Sequence, residues 1–170
     1  MGYLLAIGLT AGVIAGVFSH LVFIAGVLPV IVWVAFAGEA TFFAAGGKNM
    51  GLVKGLASNF AGVLWAVFIF FVFGAWTSPF ALGIAVFIAV VMMCVEAKID
   101  FLSFIPGAFI GAACLFGSET EAFPTGDIVG VLIALTCGAA MGWVAEKAAG
   151  PIAGLIAKKF PEKEAVEQQA

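Results

Sequence analysis

Arginine is absent from this 170-residue chain, and histidine and tyrosine each occur once. Without arginine there is no planar fork to grip a phosphate or carboxylate through two bonds. Charge of either sign is scarce: Asp, Glu and Lys make up 10% of the residues, against about 25% in an average soluble chain. That leaves no basic surface for nucleic acid and too little polar surface to cover a soluble core. One His and three cysteines with no CxxC pair, no HExxH and no GxSxG leave no zinc, redox or triad signature. No glycine-rich phosphate loop runs into a Lys-Ser/Thr pair, so nothing indicates ATP driving. The sequence predicts a non-enzyme without metal or cofactor.

What is there is apolar. Hydrophobic residues are 64% of the chain, and the mean hydropathy is +1.22. Apolar segments recur along nearly the whole length, which predicts an all-α integral membrane protein. At about 20 residues per crossing there is room for six transmembrane helices and little else. The start, MGYLLAIG, has no basic region and no polar domain after it, so it reads as a retained span. Cys94, Cys114 and Cys137 sit in apolar runs and read as small buried hydrophobes.

Spans are expected at 2–18, 21–37, 55–76, 80–95, 98–117 and 127–144, with Ser19-His20 as a short turn and Pro29 as a kink. His20, the lone histidine, reads as an interfacial polar residue. Gly8, Gly12 and Gly16, and later Gly138 and Gly142, fall at spacing four, which lets helices approach closely. Residues 38–54 read as a loop, either at the interface with Phe42 and Phe43 among the headgroups or partly re-entrant. Thr77-Ser78-Pro79 is a tight turn, and residues 118–126 form an acidic loop ending in Thr125 or Asp127 as a helix cap. The membrane domain is expected over 1–147, a short interfacial helix over 148–160 and a charged tail over 161–170. Shifting the sequence by 49 residues aligns Phe60 and Gly62 with Phe109 and Gly111. An inverted three-plus-three repeat fits six spans, but these two matches do not show one.

Charge orders the spans. With both termini in the cytoplasm, all seven lysines (Lys48, Lys54, Lys98, Lys147, Lys158, Lys159 and Lys163) fall inside, while Glu119 and Glu121 fall outside. This is the positive-inside pattern.

The chain is organised around KIDFLSFIPGAFIGAACLFG, residues 98–117. Pro106 cannot sit in a helix interior without cost, but it suits a first turn, where its missing N–H is not needed. A helix starting there directs free N–H groups and a positive dipole end toward whatever lies beneath it. The alternative is a continuous helix kinked at Pro106. Asn59, Thr41, Ser103, Pro106 and Gly107 are the candidates for a solute path, with Phe109 as a constriction. Glu39, Lys48, Lys54, Glu96, Lys98 and Asp100 are candidates for its cytoplasmic mouth. Asn59 either glues helices together or lines a polar path.

The same residues carry a resemblance. MCVEAKIDFLSFIPGAFIGAACLFG, the earlier FFAAGG, Lys54-Gly55-Leu56 and Gly62-Val63-Leu64-Trp65-Ala66 resemble the YcdZ-like bacterial inner-membrane protein family, domain of unknown function 1097. The likeness covers residues 1–147 and implies a small multi-pass protein of the bacterial inner membrane, with no activity to carry over. The leading expectation is a homo-oligomeric channel or transporter for a small neutral or weakly acidic solute. The alternative is a non-conducting accessory subunit whose glycine stripes serve packing alone.

Overall fold

The computed structural model describes residues 2–118 and 127–159. Six helices follow one another: α1 (Gly2–Phe23), α2 (Val32–Ala44), α3 (Lys48–Ala75), α4 (Ala81–Val95), α5 (Ile105–Ser118) and α6 (Ile128–Lys159). Two 3₁₀ turns, Glu96–Lys98 and Asp100–Leu102, join α4 to α5. Among the described residues, four helices are long and apolar enough to cross a membrane: α1, α3, α4 with the turn that extends it to Lys98, and α6. The other two have 13 and 14 residues. At 1.5 Å per residue they span only about 20 Å, short of the roughly 30 Å hydrocarbon layer.

The breaks fall at the strongest breakers. Helix α1 runs straight through Ser19 and His20, where the sequence pattern placed a turn, because neither residue interrupts the backbone ladder. It ends at Phe23, and an irregular segment follows with Gly26 at φ 63°. Pro29 lies in that segment rather than kinking a span, and α2 begins three residues later. Residues 38–54, expected as a loop, are mostly helical. The true turn is Ala45-Gly46-Gly47. Gly47 N–H bonds to Phe42 O and Gly46 N–H to Phe43 O, the paired closure of a helix that ends in a left-handed residue. Gly46 and Gly47 supply the positive φ values it needs.

Helix α5 starts at Ile105, so Pro106 occupies its first turn and the helix is not continuous with α4. At the start of α6, Asp127 caps the helix through Gly130 N–H at 2.8 Å. Thr125, Glu119, Glu121, Phe160, Lys163 and the 161–170 tail lie outside the described residues. The separate helix expected over 148–160 is instead the last stretch of α6, which continues through Pro151 to Lys159.

Contacts fix the directions. Thr10 bonds to Ala145 O, and Gly2 lies near Ile156, so α1 runs antiparallel to α6. Gly38 meets Leu135, Phe42 meets Gly142, and Gly47 meets Glu146, so α2 and α6 run parallel. Ser58 meets Gly107 and Lys54 meets Ser103, so α3 and α5 are parallel as well. Trp65 reaches Glu96 across the antiparallel α3–α4 pair.

These contacts describe two inverted halves. Helix α1 packs on α6 as α4 packs on α3, and α2 packs on α6 as α5 packs on α3. A Cβ added at Gly38 or Gly138 would overlap the backbone carbonyls of Leu135 or Ala35. One added at Gly62 or Gly111 would overlap those of Ala108 or Asn59. Each short helix thus meets its long partner through the same reciprocal pattern, a carbonyl at one position and a glycine three residues on.

The register is the same in both. Counting from the helix start, Ala35 and Gly38 of α2 correspond to Ala108 and Gly111 of α5. Over 32–44 and 105–117, buried, half-buried and exposed positions agree residue by residue. With that alignment the sequence does repeat: Ala-Phe-x-Gly-x-Ala-x-x-Phe occurs at 35–43 and again at 108–116. The offset is 73 residues. The 49-residue shift seen in the sequence instead marks two helices, α3 and α5, that touch side by side.

Candidate functional site

Where α2, α3 and α5 meet, the core turns polar. Thr41, Ser58 and Asn59 are almost wholly buried, at 1%, 0% and 0% exposure. Gly107, in the first turn of α5, lies against Ser58 and Asn59 Oδ1, and a Cβ there would crowd the Ser58 Cβ at 2.8 Å. Gly55 makes room for Thr41 on the opposite side. The proline–glycine pair therefore delivers a helix start against the Asn59 side chain.

These groups are poorly paired. Thr41 Oγ1 lies 2.8 Å from Ala37 O and 3.4 Å from Asn59 Oδ1. A hydroxyl has one proton, and the shorter bond takes it. That leaves Asn59 Oδ1 with a long contact and Asn59 Nδ2 with no partner. Turning the amide end for end would let its N–H meet Thr41 Oγ1 and move the unpaired position to the oxygen, so one end of the amide is unpaired in either orientation. Ser58 Oγ is also buried and unpaired, although a serine inside a helix has its own preceding turn to bond to. Each such group costs about 1–3 kcal/mol, and each in a native fold calls for a reason.

The inverted halves sharpen the point. Matching Gly62 to Gly138 and Gly111 to Gly38 pairs Asn59 with Leu135, Ser58 with Ala134, Thr41 with Cys114 and Glu39 with Ala112. The counterparts Leu135, Ala134 and Cys114 are buried, and so is Ala112. The place that holds Thr41, Ser58 and Asn59 in one half thus holds Cys114, Ala134 and Leu135 in the other, while Glu39 sets a carboxylate in the α2–α6 interface where the matching position of α5 has Ala112. Packing does not require the polar set.

The remaining expectations divide. Glu39 is no mouth residue: it is 7% exposed, stands against Gly142 of α6, and its Oε1 has no partner. Its helix face, shared with Gly38, is turned to α6 by the glycine contact. Phe109 faces away from the Asn59 site, because Ala108 and Gly111 face α3 and turn it outward. It is 43% exposed, and its counterpart Phe36 is 44% exposed. Ser103 stands apart from Asn59 at the lysine-bearing end, bonded to Lys54 at 3.1 Å.

At that end Lys54 also pairs with Asp100 at 2.8 Å, tying α3 to the second 3₁₀ turn. Trp65 Nε1 donates to Glu96 Oε2 at 2.8 Å, while Glu96 Oε1 is buried without a partner. Lys98 is exposed, and Lys48 opens α3. Gly138 and Gly142 do pack helices, whereas Gly8, Gly12 and Gly16 meet nothing within 4 Å inside the chain. Their stripe points outward from α1.

The family model described as a protein of unknown function, DUF1097, matches residues 5–150, which takes in α2, α3 and α5 entire. The chain belongs to the DUF1097 family. Among its relatives is the inner membrane protein YcdZ of Escherichia coli (strain K12), 30% identical over 174 residues and the full length of both chains. The uncharacterized protein YahC of the same organism is 34% identical over 152 residues, 78% of this chain and 89% of its own. YcdZ of Salmonella typhimurium is 31% identical over 129 residues, 71% of this chain and 75% of its own. No solved structure matches. The chain is a multi-pass helical membrane protein, and the two YcdZ relatives are inner membrane proteins.

What sequence reading missed was the role of Leu135, Ala134 and Ala112 as apolar counterparts. The signal was present in the Ala-Phe-x-Gly-x-Ala-x-x-Phe repeat, at an offset that joins helices on opposite sides of the bundle.

Proposed function

We propose that this DUF1097 protein moves a small, hydrogen-bonding solute across the bacterial inner membrane through the Asn59 site. The observation that carries this reading is the buried, unpaired polar set of Asn59 and Ser58 standing where the other half has Leu135 and Ala134. An amide and two hydroxyls, with no lysine side chain among them, suit a neutral solute that both donates and accepts. Inverted halves with short helices starting from opposite ends support a transporter-like arrangement.

In this reading α2 and α5, with the irregular segments before them, complete six crossings. Both termini are cytoplasmic, so the lysine-bearing end, with Lys48, Lys54, Lys98, Lys147, Lys158 and Lys159, faces inward. Six short crossings enclose only a narrow path, which favours a homo-oligomer. No catalytic step is assigned to any residue.

The test is swelling of proteoliposomes in a panel of small neutral and weakly acidic solutes. Faster uptake of at least one solute than in protein-free vesicles supports the reading, and uptake of none contradicts it. A second reading, a non-conducting accessory subunit, is favoured by one observation: Asn59, Ser58 and Thr41 are closed to solvent. It predicts no flux and co-purification of a second membrane protein with the full chain.

A further inference from the structure

We infer that the cleft between α1, α3 and α6 at the lysine-bearing end seats an acidic phospholipid, its phosphate held by Lys48 and Lys147 and an acyl chain lying along α1. This does not rest on the transport reading.

The cleft has a volume of about 480 Å³ and is lined by Tyr3, Lys48, Asn49, Trp143, Glu146 and Lys147, among others. Its walls are held in place. Trp143 Nε1 donates to Asn49 Oδ1 at 2.9 Å, joining α6 to α3. Lys147 Nζ stands 3.7 Å from the centroid of the Trp143 ring, a cation–aromatic contact that keeps its charge over the cleft. Glu146, the carboxylate in the lining, accepts the backbone N–H of Lys48 and so sits on the positive end of α3. It pairs with neither ammonium. Among the described residues, Lys48 and Lys147 are in no ion pair with a carboxylate. Two ammonium groups in no ion pair, one of them over an indole, in a cleft that Tyr3 also lines, fit a phosphate at the headgroup level of a membrane.

The occupant is an amphiphile because the cleft does not stand alone. A second groove, of about 450 Å³, shares Tyr3 and Glu146 with it and runs along Leu4, Ile7, Gly8 and Ala11 of α1 against Phe43. Away from Tyr3 and Glu146 at the shared end, the side chains along that groove are apolar, and Gly8 leaves it open, with nothing within 4 Å of the position a Cβ would take. A charged end joined to an apolar trough of this kind matches one phospholipid, head in the first and chain in the second. A free phosphate would use only the first.

Native mass spectrometry of the detergent-purified full chain tests this, with phosphatidylglycerol and phosphatidylcholine of identical acyl chains as probes. Phosphatidylglycerol is expected to be retained preferentially. Lys48→Asn and Lys147→Gln are each expected to weaken that preference about fivefold, and the pair more than either alone. Asparagine is chosen because Lys48 has φ 55°, which it tolerates. Lys98→Gln, outside the cleft, is expected to change nothing. Gly8→Leu, which fills the trough without touching the charged end, is expected to weaken lipid retention and leave binding of glycerol phosphate as it was. Equal retention of both lipids, an effect of Lys98→Gln equal to that of the pair, or undiminished retention in the double variant would overturn the site. Displacement of the lipid by equimolar glycerol phosphate, or an unchanged Gly8→Leu, would overturn the lipid as its occupant.

Discussion

Gly38 of α2 and Gly111 of α5 hold the same place in two inverted halves, each closed against a backbone carbonyl of a long helix, Leu135 for one and Asn59 for the other. Such approach is how membrane helices pack where apolar burial gives no net drive. Alanine at Gly38, Gly62, Gly111 or Gly138 is therefore expected to force the helix pair apart, at about 1–3 kcal/mol each. Alanine at Gly8 or Gly12 meets open space and is expected to be neutral, or stabilising by up to about 1 kcal/mol through helix propensity. Thermal unfolding in detergent reads the difference. Equal losses at Gly8 and Gly111 would contradict the packing account.

The Lys54–Asp100 pair looks structural but is expected to contribute little. Its carboxylate is 85% exposed and its lysine 21%, so solvent and salt screen the attraction. Asp100→Asn is predicted to cost less than about 1 kcal/mol in the same unfolding assay, with the difference shrinking further in high salt. A loss of several kcal/mol would mean the second 3₁₀ turn depends on this pair.

Orientation is tested by labelling single cysteines in a background lacking Cys94, Cys114 and Cys137. Cysteines replacing Thr77, between α3 and α4, and Lys98, between α4 and α5, are predicted to label from opposite faces of the membrane. Only the Thr77 position should react with an impermeant reagent in intact cells. Labelling of both from one face would overturn the alternation of helices across the bilayer.

Much of this fold was legible in the sequence where a strong local signal existed. The Pro106 helix start, the Asp127 cap and the apolar character of the four long helices all follow from one or two residues each. The Ser19-His20 turn was misplaced because polarity is a weaker breaker than Gly26 and Pro29 together. Residues 38–44 read as loop because Glu39 and Thr41 are polar, yet both are buried against other helices. Burial of a polar residue depends on what faces it, and no local pattern encodes that. Asn59 was picked out from its isolation in an apolar run. That it matches a leucine in the other half needed the inverted geometry to be seen.

The most direct test replaces Asn59 with the residue its counterpart carries. Asn59→Leu removes a buried amide whose Nδ2 has no partner and supplies the side chain that the other half packs as Leu135. If Asn59 serves a solute rather than the fold, the variant should unfold at the same temperature as the wild type or higher. It should also lose the solute-driven swelling of proteoliposomes. A variant that swells like the wild type, or one that unfolds readily because Asn59 was holding α3 to α2, would contradict the account.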